Sequence, residues 1–208
     1  DDEGYAQQGC WDERLEATLE ARDVINYYKH EKKMDPNAID AHFGRLFDIC
    51  VEKGYELPTG HKERKWKGRV VFQGNNVLTQ NYELAVFTEM ANQPATMEAS
   101  ACADAFGCLP GHAVMQADAE QAYTQAKLGA DEPTYVRIPK EQWPDHWFFD
   151  PGTNKQPRYT DPVCPLKLAL YGHPKSGKWW EDHMHKHLIG GGWTTIPEWK
   201  SCYWHEKL

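Results

Sequence analysis

Several hallmarks of common protein classes are missing from this sequence. None of its six cysteines is spaced as C-x-x-C, which argues against a zinc ribbon and a thioredoxin-type redox motif. No apolar stretch approaches the roughly 20 residues that a membrane-spanning helix needs. No signal-peptide pattern opens the chain. We therefore expect an intracellular protein, of unassigned compartment, with reduced thiols and no membrane span.

Positive charge is also scarce. The 208 residues carry 23 Lys and Arg against 31 Asp and Glu, a formal net charge of −8. This balance argues against a protein whose whole surface binds nucleic acid, because phosphate binding depends on clustered cations. The same charge balance is compatible with a single basic groove on an otherwise acidic protein surface. The densest basic run is HKERKWKGR at 61–69, for which a solvated loop is the alternative explanation.

The remaining composition is ordinary for a globular protein, and its patterning alternates between helices and strands. Amphipathic or helix-forming stretches predict helices at 11–33, 95–106 and 178–188. Short apolar stretches predict strands at 42–51, 67–73, 112–117, 135–138 and 202–205. The first two strands flank a connection rich in Gly, Pro and charge, so we expect a long hairpin with a basic tip. The segment 139–162 is interpreted as a surface excursion. This order predicts an α+β fold with an antiparallel sheet.

The motif QADAEQAY, at 116–123, is the sharpest local feature. It places Asp118 at the end of a predicted strand and Tyr123 five residues later. A carboxylate held at a sheet edge can bind Mg²⁺, and the aromatic ring can pack against the sugar of a nucleotide. By itself the motif is weak evidence, because an Asp after a strand is usually a turn former or a helix cap.

A second motif nearly fits the phosphate-binding P-loop. Gly172, Gly177 and Lys178 have the required spacing, but Trp179 stands where the loop needs Ser or Thr to hold Mg²⁺. A nucleotide-binding module at 172–178 is therefore kept only as a remote alternative.

A third motif is the histidine-rich run EDHMHKH at 181–187. In a helix, His183 and His187 share a face at i and i+4, as zinc ligands do. The order H-E-x-x-H of zinc proteases is absent, so we interpret this run as a solvated helix face.

Four segments, taken in order, resemble the reverse transcriptase (RNA-directed DNA polymerase) of Ty/copia-type retrotransposons. WKGRVVFQGN (66–75) is similar to the family's fingers segment Lys-x-Arg-Leu-Val-x-x-Gly. ATMEASACADAFGCLPGHAVMQADAEQAY (95–123) is similar to its palm helix and first catalytic motif. TYVRIPKEQWP (134–144) is like Ile-Tyr-Met-x-x-Pro-x-Gly-Phe, and CPLKLALYGHPKSGKWWEDHMHKHL (164–188) is close to Cys-x-Leu-x-Lys-Ala-Leu-Tyr-Gly-Leu-Lys-Gln-Ala-Pro-Arg-x-Trp. The likeness runs from about residue 42 to the C-terminus.

The resemblance implies a reverse-transcriptase-like fingers and partial palm with a mainly antiparallel sheet. It divides the chain into a poorly matched N-terminal helical extension at 1–40, a fingers-like hairpin region at 41–94 and a partial palm-like region at 95–208.

The resemblance also implies a catalytic and metal-binding role for one carboxylate. Asp118 would be the first Mg²⁺-binding aspartate, with the backbone carbonyl of Ala119 beside it. Tyr123 would be the aromatic gate that excludes a ribose 2′-hydroxyl.

The same resemblance implies a binding site for the nucleotide. Lys67 and Arg69 would reach the incoming triphosphate from the fingers hairpin, where Arg suits bidentate phosphate contact. Tyr171 and Gly172 would line the nucleotide and template pocket.

One part of the family's pattern is missing. The second catalytic motif, Tyr-x-Asp-Asp, does not occur in residues 1–208, and Gly177 stands where the family has proline. Because two-metal catalysis needs carboxylates from both motifs, the Mg²⁺ site is incomplete and we expect no polymerisation by this chain alone.

Two interpretations stay open. The first is a retroelement polyprotein fragment that acts on an RNA or DNA primer–template and a deoxynucleoside triphosphate when it is continued. The second is a non-catalytic remnant that serves as a binding or structural subunit, with a protein partner over the unfinished sheet.

Overall fold

The computed structural model describes residues 9–87, 94–112, 118–129, 133–149, 152 and 157–207. The helices within these ranges are α1 (Ala21–Met34), α2 (Met97–Gly107), α3 (Asp145–Phe148) and α4 (Ser176–Gly190). The strands are β1 (Leu19–Glu20), β2 (His42–Lys53), β3 (Lys65–Phe72), β4 (Leu78–Thr79), β5 (Thr134–Arg137), β6 (Pro162–Pro165), β7 (Thr194–Thr195) and β8 (Tyr203–Trp204). Short 3-10 turns cover Ala122–Gln125 and Lys140–Gln142.

One sheet organises most of the chain. Its strands run in the order β1-β6-β5-β2-β3, and β4 pairs with the start of β2. The β2–β5 pair is parallel and the other pairs are antiparallel. β7 and β8 form a separate antiparallel pair. The fold is therefore mixed α+β with a mainly antiparallel sheet, which confirms the coarse prediction.

The long hairpin predicted around the basic segment is present as β2 and β3. Their register pairs Leu46 with Phe72 at the base and Lys53 with Lys65 at the tip. Near the tip, the Arg64 guanidinium donates to the Glu52 carboxylate at 2.8 Å, which holds the basic segment against the hairpin. Both strands are longer than predicted, because pairing across the ladder extends them beyond their apolar stretches.

The N-terminal helix is shorter than predicted, which is a correction. α1 begins at Ala21, whereas the pattern predicted a helix from residue 11. Before it, the Asp12 carboxylate accepts from the backbone and the side chain of Arg14 and stabilises a turn instead of a helix. The Asp12 amide donates to the Pro165 carbonyl, so β6, which is far away in the sequence, orders this segment through a direct hydrogen bond. Leu15 therefore stays exposed and does not contribute to the apolar face of a helix.

The apolar core lies around β2, β5 and β6. Phe72, Val136, Leu170 and Cys164 are almost fully buried in one cluster. Trp147 joins them with no exposed surface, although it falls in the segment predicted as a surface excursion. Most of that segment's described residues are exposed, but Trp147 anchors it to the core.

The remaining predicted elements have mixed outcomes. α2 begins two residues later than predicted, where the Thr96 hydroxyl accepts from the Ala99 amide as an N-cap. α4 and β8 match their predicted positions within a few residues. The predicted strand at 112–117 falls mostly outside the described residues, and His112 itself lies in a turn. All six cysteines are free thiols, three of them exposed. No helix in the described ranges is long and apolar enough to cross a membrane.

Candidate nucleotide-binding site

The end of β3 meets the turn that precedes α4. The Phe72 amide donates to the Tyr171 carbonyl at 2.7 Å, which fixes the turn against the hairpin. Gly172 has a φ of +88°, and a Cβ built on it would lie 2.2 Å from the Phe72 carbonyl oxygen. A Cβ on Gly74 would lie 2.1 Å from the Gly172 oxygen. Two glycines therefore allow the backbones of the hairpin and the turn to touch.

Three predicted site residues converge beside this contact. The Arg69 guanidinium carbon lies 5.5 Å from the centre of the Tyr171 ring, in cation–π geometry. The Tyr171 ring meets the Tyr123 ring edge-on, with centroids 4.8 Å apart. The three residues come from segments that are far apart in the sequence, so the fold itself assembles them.

Lys67 lies on the same face of β3 as Arg69. Alternate residues of a strand share a face, and so do directly paired residues of antiparallel strands. Lys67 pairs with Val51, and Arg69 pairs with Ile49. Arg69, Ile49 and Val51 are exposed and Lys67 is half-buried, so this face offers cations next to apolar surface.

Tyr123 is positioned by a short stretch that pairs with the chain before Tyr171. The Ala169 amide donates to the Ala126 carbonyl at 2.8 Å, which draws the 3-10 turn at Ala122–Gln125 towards α4. Tyr123 then packs on a small cluster formed by Ala126, Ala169 and Trp179. This packing explains why the Tyr123 and Tyr171 rings meet.

Asp118 and Ala119 are exposed and lie just after residues that are not described. Within the described part of the chain, no group of three or more His, Cys, Asp or Glu side chains could hold a metal ion. The Mg²⁺ site that the resemblance implies, and the role of Asp118 in it, therefore stay predictions.

The loop between Leu170 and α4 contains two buried residues whose importance the sequence did not indicate. The Ser176 hydroxyl donates to the Leu170 carbonyl at 2.6 Å and accepts from the Leu170 amide at 3.1 Å, closing the loop. His173 lies between the rings of Phe72 and Trp179, with centroids at 4.7 and 4.6 Å. Burial lowers the pKa of His173 to about 3, helped by the nearby His42 and Lys175. The GHPKSG stretch that contains them fits a phosphate loop imperfectly and forms part of the fourth resembling segment, but neither pattern gives Ser176 or His173 a role.

The structural setting of this loop differs from that of a P-loop. β6, the last strand before it, pairs only antiparallel among the described residues, whereas a P-loop follows a strand of a parallel sheet. Lys178 donates to Asp182 at 3.0 Å along the exposed side of α4. Nothing in this arrangement favours the remote nucleotide-binding alternative at 172–178.

Comparison with protein families, curated proteins and solved structures gave no significant match to this chain. The functional argument therefore rests on the residues and on the geometry they adopt.

Proposed function

We propose that this chain derives from a Ty/copia-type reverse transcriptase and binds a primer–template and nucleotide phosphate beside Arg69, Tyr171 and Tyr123. The observation that carries the proposal is the contact chain from Arg69 through Tyr171 to Tyr123. These residues belong to three of the four segments that carry the resemblance. Their convergence is what a shared binding site requires.

The chemistry of the cluster suits a nucleotide. Arg69 carries a permanent charge, and its planar guanidinium can donate two parallel hydrogen bonds to a phosphate. Lys67 adds a second cation on the same strand face. The Tyr171 and Tyr123 rings offer surfaces on which a sugar or base can pack. Phosphate attraction and ring stacking together would bind single-stranded or splayed nucleic acid with little sequence preference.

Catalysis by residues 1–208 alone is not part of the proposal. Asp118 supplies one carboxylate, and the sequence contains no Tyr-x-Asp-Asp motif to supply the others. The in-line displacement that a polymerase performs needs two metal ions roughly 4 Å apart. Primer extension by this chain that requires Mg²⁺ and is abolished by Asp118→Asn would contradict this part of the proposal.

Binding to a short RNA–DNA primer–template, measured by fluorescence anisotropy at several salt concentrations, tests the proposal. We expect affinity to fall as the salt concentration rises, because binding releases counterions from the phosphates and added salt opposes that release. Arg69→Ala should weaken binding and make the logarithmic salt slope shallower by about 1.

The matched control for this experiment is Arg22→Ala on α1. Arg22 is an exposed arginine that faces Asp23 and lies outside the cluster. Its removal should leave the affinity and the salt slope unchanged. If wild-type protein showed no salt-dependent binding, or if both variants behaved alike, the proposed site would be wrong.

A second candidate function is a non-catalytic subunit that binds another protein chain, a second copy of this chain included. The observation that favours it is the exposure of apolar side chains along α2 and its C-terminal turn: Met97 is 87% exposed, Phe106 61% and Leu109 49%. Lack of nucleic-acid binding, together with self-association that Phe106→Ser removes in sedimentation, would support this candidate over the first.

A further inference from the structure

Three aromatic side chains form a ladder along α4 that the proposed function does not use. The Trp180 and His183 rings are stacked, with centroids 5.7 Å apart and an angle of 26° between them. The His183 and His187 rings follow with centroids 4.3 Å apart and an angle of 39°. The two imidazoles are therefore held side by side one helical turn apart.

One hydrogen bond fixes which nitrogen of His187 is available. Its Nδ1 lies 2.8 Å from the His183 carbonyl oxygen. A carbonyl only accepts, so Nδ1 must carry the proton, and the neutral ring keeps its lone pair on Nε2. Metal-binding histidines are oriented in this way, with the second ring nitrogen donating to a backbone carbonyl.

The spacing of the two rings suits a shared ion. Metal–imidazole bonds of about 2.0–2.1 Å would place each ring centroid about 3.2 Å from the ion. Two centroids 4.3 Å apart then subtend about 85° at the ion, close to adjacent positions of an octahedral or tetragonal shell.

We infer that His183 and His187 form a bidentate site for a divalent transition-metal ion of the Ni²⁺, Cu²⁺ and Zn²⁺ class, with water completing its coordination shell. Imidazole suits these ions, whereas Mg²⁺ prefers oxygen ligands. The described residues hold no group of three metal-ligating side chains, so we expect a two-ligand site. The inference does not depend on the proposed function.

Calorimetric titration of tag-free protein with NiCl₂ at pH 7.5 tests the site. Ni²⁺ is the better probe than Cu²⁺, because exposed Cys50, Cys102 and Cys108 could reduce copper. We expect one Ni²⁺ per chain. His183→Gln and His187→Gln should each weaken Ni²⁺ binding at least tenfold, because losing even a residue that only orients a metal ligand lowers metal affinity roughly 10–100-fold. Gln is a good helix former, so both variants should retain α4.

The matched control is His185→Gln. His185 lies on the same helix, but its Nδ1 is 3.0 Å from the Tyr203 hydroxyl and its ring is outside the ladder. Ni²⁺ should also quench the fluorescence of Trp180, and Trp180→Phe should remove that quenching without removing the binding heat. The inference would be overturned if Ni²⁺ did not bind, if His185→Gln lost as much Ni²⁺ affinity as the other histidine variants, or if His183→Gln and His187→Gln both bound Ni²⁺ as wild type does.

Discussion

The guanidinium of Arg69 lies over the ring of Tyr171, 5.5 Å from its centre. This contact joins the face of the β2–β3 hairpin to the turn before α4. Because the Phe72 amide also donates to the Tyr171 carbonyl, the ring is held at a fixed distance from the hairpin. A ligand that packs on Tyr171 would therefore lie within reach of the Arg69 charge.

Removing the Tyr171 ring should weaken nucleic-acid binding. We expect Tyr171→Ala to lower the affinity for single-stranded DNA about tenfold, since stacking of a base on an aromatic ring contributes about 1–3 kcal/mol. Tyr171→Phe keeps the ring and should bind nearly as wild type does. Tyr27→Ala removes an exposed ring from α1 and serves as the control in the same anisotropy assay. Equal losses in the Tyr27 and Tyr171 variants would rule out a specific role for Tyr171.

A side chain at position 172 should destabilise the protein far more than the same change at position 60. Gly172 and Gly60 both have positive φ, at +88° and +87°, so alanine meets similar backbone strain at each. At Gly60 no atom lies within 4 Å of the added Cβ, whereas at Gly172 the Phe72 carbonyl oxygen is 2.2 Å away. We expect Gly172→Ala to lower the free energy of unfolding by about 1–3 kcal/mol more than Gly60→Ala.

Urea denaturation of the two glycine variants measures this difference directly. Equal midpoints with equal slopes would mean that the turn moves away from β3 at little cost. The close backbone contact at the candidate site would then be absent in solution.

Elements with a strong local pattern could be predicted from the sequence, and elements ordered by distant contacts could not. The β2–β3 hairpin has two apolar stretches around a turn-rich connection, and α4 has helix formers followed by three consecutive glycines, so both were placed correctly. The N-terminal segment has a local helical pattern, but Asp12 instead holds a turn with Arg14 and contacts Pro165 and Lys167 far along the chain. Trp147 is buried for the same kind of reason, by rings at Trp143 and Tyr159.

The candidate site divides in a similar way. Arg69, Tyr123 and Tyr171 were singled out through the order of four sequence segments, and the fold brings these three together. Ser176 and His173 were missed, because their roles arise from contacts with Leu170, Phe72 and Trp179 that no short motif encodes. The strand expected before Asp118 falls outside the described residues, so its placement stays a prediction.

The Ser176 hydroxyl should contribute to stability through the loop it closes. Ser176→Ala leaves the buried Leu170 amide and carbonyl without this partner, and we expect a loss of about 1–3 kcal/mol in the free energy of unfolding. Ser100→Ala is the control, because Ser100 is exposed within α2 and alanine is the better helix former there. Chemical denaturation that shows no difference between the two variants would contradict a structural role for Ser176.

Asp12 should make stability sensitive to acid at low pH. Hydrogen bonds from Arg14 and then Lys167 hold the pKa of this buried carboxyl well below its usual range. A lowered folded-state pKa contributes stability above the unfolded value, near 3.9, that is lost as pH falls through the folded-state pKa. Asp12→Asn should therefore be less stable than wild type at pH 7, and this difference in stability should become smaller below about pH 3. Thermal unfolding at both pH values checks this, with Asp23→Asn on the exposed side of α1 as the control.

His173 should produce a separate acid sensitivity at higher pH. Its folded-state pKa is about 3, whereas an unfolded histidine titrates near 6.5. Between these values the unfolded chain binds a proton that the folded chain excludes, so stability falls as pH decreases from about 6.5 towards about 3. The slope from this one residue can reach about 1.4 kcal/mol per pH unit.

The test is the free energy of unfolding, measured in urea from pH 7 to pH 4, for wild type and His173→Phe. Phenylalanine fits among the Phe72 and Trp179 rings and cannot take up a proton, so the variant should lose less stability than wild type over this range. His30→Gln on the exposed side of α1 should follow the wild-type curve, because His30 is 69% exposed in its side chain. If His173→Phe followed the wild-type curve as well, His173 would be reached by water in the folded protein. The close packing of the loop before α4 against β3 would then be wrong, and with it the geometry that holds Tyr171 beside Arg69.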